Sequence, residues 1–194
     1  MTVDMLVEGP TDEVVARKVI QFCGHTPGIV YGKKGWHYIR EKLDGFGIRA
    51  FYGNPILVLI DFMDSGLTCP PEIRKWVRSP HPRFLVRAVV REIESWILAD
   101  QQGVAKFLGI SPTVIPREPE KLENPKQTLV NLARRSRRRK LRNDMIPSPG
   151  TSGIVGPGYV ARIQEMIYGY WNVQVAAESS ISLKRCIERL RLLE

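Results

Sequence analysis

The segment Ile56-Leu57-Val58-Leu59-Ile60-Asp61 decides the fold of this chain. It is a continuous run of branched aliphatic residues that ends on a carboxylate, without alternation of apolar and polar positions. A strand of this composition is buried on both faces, which is typical of a parallel sheet covered by helices. The segment therefore predicts a central strand of an α/β domain, with Asp61 at its carboxyl end.

Strand and helix signals alternate on both sides of this segment. Further strands are predicted for residues 3–7, 28–32 and 84–90. Helical patterns separate or follow them, at residues 11–23, 35–43, 70–78 and 92–99. Thr11 is predicted to N-cap the first of these helices. This order predicts an α/β domain with a Rossmann-like, mostly parallel sheet.

The character of the sequence changes after about residue 110. Prolines punctuate a polar stretch there, and the remaining patterns are helical, at residues 125–142, 159–171 and 182–193. We therefore predict two parts, an α/β domain over residues 1–110 and a helical, basic extension over residues 111–194 that packs on it.

Composition limits the class of protein. The 194 residues include 29 Lys and Arg against 20 Asp and Glu, a formal net charge of +9, with 43% hydrophobic and 25% charged residues. These fractions are ordinary for a globular domain and exclude a disordered chain, a collagen and a coiled coil. The positive charge favours a polyanionic partner, nucleic acid first and an anionic membrane second.

The sequence also bears on compartment and cofactors. No apolar stretch is long enough for a transmembrane helix, and the first residues lack a signal-peptide pattern. Cys23, Cys69 and Cys186 match no zinc-binding spacing, so we expect incidental thiols in a reducing cytoplasm.

Acidic residues fall where the predicted strands end. In an open parallel sheet, ligands bind outside the carboxyl ends of the strands. Clustered carboxylates repel one another unless a cation lies between them, and oxygen ligands suit Mg²⁺ or Mn²⁺. We therefore predict a metal site at this edge, formed by the five acids Glu8, Asp61, Asp64, Glu92 and Glu94. Asp12, four residues after Glu8, could reach the same ion.

Each acid also has a structural interpretation. Glu8 could be a solvated acid at a turn, and Asp64 could cap a turn before Ser65. Asp12 and the neighbouring Glu13 suit the first turn of a helix, where acids complement the dipole. Glu92 and Glu94 could be solvated helix residues, and Asp100 more simply closes the helix that contains Trp96.

The motifs around these acids resemble those of the toprim domain. Residues 6–13, Leu-Val-Glu-Gly-Pro-Thr-Asp-Glu, resemble its first motif, and residues 57–66 resemble its second, a hydrophobic strand ending in Asp-x-Asp. Residues 90–100 and the Asn124-Pro125-Lys126 segment are similar to features of small stand-alone toprim-like proteins related to the nuclease half of OLD-family proteins. The resemblance covers residues 1 to about 130.

This resemblance implies roles for individual residues. Glu8 would be the general acid/base or a metal ligand, and Asp61 the principal ligand of Mg²⁺ or Mn²⁺. Asp12 and the later pair, Glu92 or Glu94, would also bind metal, and Lys126 would contact phosphate or the transition state. The chain departs from the family because Met63 stands where the second Asp belongs, so Asp64 is displaced by one position. A turn or bulge could return it to the site.

One segment carries most of the positive charge. Residues 134–142 have a charge of +7, which leaves +2 for the rest of the chain. The seven basic residues of this segment are Arg134, Arg135, Arg137, Arg138, Arg139, Lys140 and Arg142. As a continuous helix this run would display Arg on every face. We expect it to contact nucleic-acid phosphates without reading sequence, the alternative being a solvated connector.

These observations predict a Mg²⁺- or Mn²⁺-dependent nuclease in defence against mobile DNA or in DNA repair; DNA is favoured as the substrate, and RNA remains an alternative. The alternative is a non-catalytic nucleic-acid-binding protein or an accessory subunit of an ATPase partner. The Gly-rich residues 153–158 lack the Lys-Ser/Thr ending of a P-loop, so any ATPase would be a partner chain. A third possibility is a nucleotide-binding role for the acidic cluster.

Overall fold

A computed structural model describes residues 1–193 and divides the chain into two compact units. The first unit contains a four-stranded, all-parallel sheet in the order β2-β1-β3-β4. Its strands are β1 (Thr2–Val7), β2 (Thr26–Gly32), β3 (Ile56–Asp61) and β4 (Phe84–Val89). Every residue of β3 is buried, as its composition predicts. The α/β class with a parallel sheet is therefore confirmed.

Helices cover this sheet and connect its strands. Helix α1 (Pro10–Phe22) connects β1 to β2, α2 (Gly35–Tyr52) connects β2 to β3, and a 3₁₀ helix (Pro70–Trp76) precedes β4. One core cluster joins apolar residues of α2 to alternate residues of β3, namely Ile39, Leu43, Ala50, Ile56, Val58 and Ile60. Helix α9 (Ile181–Leu190) packs against β4 within the same unit.

The start of α1 differs from the prediction. Gly9 is the N-cap and Pro10 the first helical residue, so the prediction of Thr11 as the cap is wrong. Proline suits the first turn because its φ is already helical and its missing N–H costs no hydrogen bond there. Asp12 completes the cap, since its Oδ2 accepts a hydrogen bond from the Gly9 N–H at 3.0 Å.

The second unit is helical and spans Glu94–Ser180. Its helices are α3 (Ile93–Leu98), which begins at the boundary, α4 (Gln101–Leu108), α5 (Pro125–Arg134), α6 (Arg139–Met145), α7 (Tyr159–Gly169) and α8 (Val173–Ser179), with 3₁₀ turns at Pro112–Val114 and Pro119–Lys121. The Trp96 side chain is fully buried in its core. The Trp171 Nε1–H donates to the Trp96 carbonyl at 3.2 Å.

The units do not follow the predicted boundary at residue 110. The first unit consists of Met1–Ile93 and the chain from Ile181 onward, and the second unit lies between them in sequence. The composition changes near residue 110 because prolines occur in the connections between helices there. Residues on both sides of this position belong to the second unit. Of the predicted extension, the α9 segment belongs to the first unit because its apolar stripe packs on β4.

Among residues 1–193, no helix combines the length and apolarity needed to cross a membrane.

The three cysteines differ in their environments. Burial raises the pKa of Cys23 to about 11 and that of Cys186 to about 12, with Arg191 and Arg87 respectively opposing the shift. Cys69 is exposed. Because the thiolate is the nucleophile, burial and a raised pKa both slow alkylation.

We therefore expect one fast-reacting thiol in the native protein. Iodoacetamide near pH 8 should modify the exposed Cys69 fastest, while Cys23 reacts slowly and Cys186 reacts only after unfolding. Peptide mapping by mass spectrometry over time measures the three rates. The Cys69→Ser protein should lack the fast phase, and a fast phase that persists in it would contradict the assignment.

Candidate functional site

The ends of β1 and β3 bring two predicted site residues into direct contact. Glu8 follows the last residue of β1, and Asp61 is the last residue of β3. The two strands are neighbours, with Leu6 paired to Val58. The Asp61 backbone N–H donates a 2.7 Å hydrogen bond to Oε1 of Glu8. The carboxylate of Glu8 is thereby fixed at the carboxyl end of β3.

This contact lies where the direction of the strand order reverses. From β1 the chain goes to β2 on one side, then returns across the sheet to β3 on the other side and on to β4. The connections that leave β1 and β3 therefore run to opposite sides of the sheet. Such a switch point is the usual ligand-binding position of open α/β sheets.

Two more predicted acids of the first unit lie beside these strand ends. Asp12 is 5% exposed and is tied to Gly9, the residue after Glu8. Glu92 is 8% exposed and follows β4. The chain after β3 keeps its pairing with the chain after β4, because Met63 N–H donates to the Arg91 carbonyl at 2.9 Å. Glu92 is therefore held at the same edge of the sheet as Asp61.

Asp64 is in a different environment from Asp61. It lies on a turn over residues 62–65 and is exposed, whereas Asp61 is 7% exposed. The Ser65 hydroxyl fixes this turn by donating to the Phe62 carbonyl at 2.7 Å. The displaced acid thus occupies a solvent-facing turn position, in accordance with the structural alternative for this residue.

Glu94 and Lys126 belong to the second unit and contact each other there. Glu94 is fully buried, and its Oε1 accepts a 2.9 Å hydrogen bond from the Tyr159 hydroxyl. The Lys126 ammonium lies 3.7 Å from Oε2 of Glu94. Sequence reasoning missed Tyr159, because the only signal was an aromatic residue at the start of a predicted helix.

Asp100 is a structural residue. It is the N-cap of α4, and its Oδ1 accepts from the Gly103 N–H at 2.9 Å. Its Oδ2 accepts from the Asn172 N–H at 2.7 Å. Gly103 is required for this contact, since a Cβ there would lie 2.2 Å from Oδ2 of Asp100. Asp100 therefore opens the helix after the one that contains Trp96, rather than closing that helix.

The basic run is not one helix. Helix α5 ends at Arg134 and α6 begins at Arg139, so the expected continuous helix is wrong. The buried Ser136 makes the break by accepting from the Arg138 N–H at 3.2 Å. Two side chains turn to backbone carbonyls, since Arg138 donates to Phe107 at 3.1 Å and Arg142 donates to Ser136. Five of the seven remain exposed without such a bond: Arg134, Arg135, Arg137, Arg139 and Lys140.

The donor set limits which metal the strand-end acids could hold. Within the described part of the chain, no three Asp, Glu, His or Cys side chains are grouped to hold a metal ion. A site enclosed by protein ligands alone therefore does not fit these residues. The all-oxygen pair Glu8 and Asp61 does fit Mg²⁺ or Mn²⁺, which is usually held by one or two carboxylates and keeps several waters.

Comparison with known proteins adds no relative. No family model, curated protein or solved structure matches this chain.

Proposed function

We propose that the protein is a Mg²⁺- or Mn²⁺-dependent nuclease of the toprim type. The observation that carries the proposal is the hydrogen bond between the Glu8 carboxylate and the Asp61 backbone at the switch point of the sheet. It joins the two residues that the toprim resemblance assigns to acid/base and metal-binding roles. The buried Asp12 and Glu92 at the same edge add further negative charge.

Each residue has a distinct role in this proposal. Glu8 accepts the Asp61 amide through Oε1, and its carboxylate would take a proton from the attacking water. Asp61 would be the principal ligand of the divalent ion. When bound, such an ion supplies positive charge to the phosphodiester and lowers the pKa of coordinated water. Asp12 holds the Gly9 backbone and so positions the turn that follows Glu8.

The exposed part of the basic run would hold the nucleic acid. A cluster of like charges contacts phosphates without reading sequence, so we expect the contacts of these five exposed cations to be to backbone phosphates. Binding through them releases counterions and weakens steeply with salt. Because Arg138 and Arg142 already bond backbone carbonyls, we assign them to the structure of the second unit rather than to phosphate binding.

The proposal is tested by cleavage of supercoiled plasmid with the purified full chain. Nicking or linearisation should appear with Mn²⁺ or Mg²⁺ and disappear with EDTA. The Asp61→Asn protein should not cut. The matched control is Asp44→Asn. This substitution removes the same charge, but from an exposed residue that forms an ion pair with Arg78. Absence of cleavage by the parent protein with every divalent ion would overturn the proposal.

A second function is favoured by a different observation. The exposed position of Asp64 and the lack of a three-residue metal group among the described residues suit a protein that binds nucleic acid without cutting it. Such a protein could serve as the accessory subunit of an ATPase partner. In that case DNA binding should survive both Asp61→Asn and Glu8→Gln while no cleavage occurs. Measuring DNA binding and plasmid cleavage on the same proteins therefore distinguishes the two functions, because only the nuclease cleaves.

A further inference from the structure

An arginine interrupts the apolar sequence of an edge strand. Arg87 lies in the middle of β4, which has a single neighbour in the sheet and is paired through Leu59. Phe84, Val86 and Ala88 pack toward the cluster with α2, so alternation directs Arg87 to the opposite face, where α9 packs. A long cation in such a strand is costly to desolvate unless it serves a contact.

A groove runs along this edge strand. Its volume is about 380 Å³, and the consecutive residues Phe84–Arg87 form one wall. Arg74 of the 3₁₀ helix and Arg189 of α9 contribute from the two elements that flank β4. This volume lies in the range of pockets that hold small ligands or one unit of a longer one. Three guanidinium groups therefore line one groove from three separate elements.

No ion pair among residues 1–193 neutralises the positive charge of this groove. Within residues 1–193, no carboxylate forms an ion pair with Arg74, Arg87, Arg185 or Arg189. The Nε of Arg87 is buried without a hydrogen-bond partner among these residues. Burial and the charges of the other three arginines lower the pKa of Arg87, against an opposing effect of Cys186.

We propose that Arg74, Arg87 and Arg189 form a phosphate-binding groove that holds the backbone of a nucleic-acid strand, in addition to the basic run of the second unit. A guanidinium offers planar, paired donors that match phosphate oxygens. Arg74 and Arg189 are exposed on either side of the half-buried Arg87, so they present contact points along the groove. Such an arrangement suits a linear polyanion better than one small ion.

The proposal depends on the proposed function only for the identity of the polyanion. It is tested without catalysis, by titrating a fluorescently labelled single-stranded oligonucleotide with the full chain in EDTA. The Arg74→Gln/Arg189→Gln double variant removes two exposed guanidiniums and leaves the buried Arg87 in place. Each lost phosphate contact on a single strand lowers the slope of log K against log salt by about 0.7, so we expect a slope smaller by about 1.4.

The matched control is Lys184→Gln, another exposed cation of α9 that does not line the groove. It should bind with the parent slope. Equal slopes and affinities for the double variant and Lys184→Gln would overturn the groove. So would binding of inorganic pyrophosphate or of an acidic peptide that the double variant loses while its oligonucleotide binding is unchanged, because the occupant would then be a small anion or a peptide. If the parent protein does not cleave with any divalent ion but the double variant shows the smaller slope, only the nuclease function is overturned.

Discussion

Glu8→Gln is expected to slow phosphodiester cleavage by about 10²–10⁴-fold, the range for loss of a positioned acid or base. The substitution preserves shape, and the amide oxygen can still accept the Asp61 N–H that Oε1 accepts now. It removes the negative charge and the capacity to take a proton. The loss should therefore appear in the single-turnover rate with saturating Mn²⁺, while oligonucleotide affinity in EDTA stays unchanged.

Glu13→Gln provides the control for this experiment. Glu13 lies on α1, close to Glu8 in sequence, and forms ion pairs with Arg17 at 2.9 Å and Lys33 at 2.8 Å. Burial opposes ionisation of Glu13, but these two partners lower its pKa overall. Its substitution makes the same chemical change outside the strand-end site and should leave the cleavage rate intact. A Glu8→Gln protein that cuts as fast as Glu13→Gln would refute the role of Glu8.

Trp96→Ala is expected to lower the free energy of unfolding by about 3–5 kcal/mol, the range for aromatic-to-alanine changes in a core. Trp96 is the largest fully buried side chain of the second unit, and its removal leaves a cavity. The lost ring also disturbs the segment whose carbonyl receives the Trp171 indole N–H. Urea unfolding followed by circular dichroism measures the loss.

Trp36→Ala is the comparison for this core substitution. Trp36 is only partly buried and stacks on His37 with ring centres 3.7 Å apart. Removal of a partly exposed side chain forms no closed cavity, so its cost should be clearly smaller. If both substitutions cost the same, the second unit lacks the tightly packed core that the burial of Trp96 implies.

The sheet could be predicted because its signals are local. The unbroken aliphatic run of β3 and the turn after Val7 give the strand type and the chain direction directly. Parallel pairing then brings residues at strand ends to one edge, which is why Glu8 and Asp61 could be placed together. The pair depends on topology alone, and topology follows from the alternation of strands and helices.

Other features depend on contacts between residues far apart in sequence. The pairing of Lys126 with Glu94 and the bond from Tyr159 join three helices, and no local pattern reports such contacts. The break in the basic run depends on Ser136, whose side chain competes with the helix for backbone hydrogen bonds. The sequence places Arg87 as a cation within an apolar strand. Its position in a groove with Arg74 and Arg189 depends on the packing of three separate elements, which the local sequence does not predict.

The return of α9 to the first unit has a consequence for the order of events during synthesis. The His25 ring nitrogen Nε2 lies 2.9 Å from the Leu190 carbonyl, and the Val90 N–H donates to the Ser182 hydroxyl at 3.4 Å. A ribosome delivers all of residues 94–180 before it delivers these α9 partners. While the ribosome synthesises the second unit, the side of β4 that α9 later covers therefore stays uncovered. During synthesis from the N-terminus, all residues of the second unit are available before those of the first unit. We therefore expect the second unit to be able to fold completely before the first unit does.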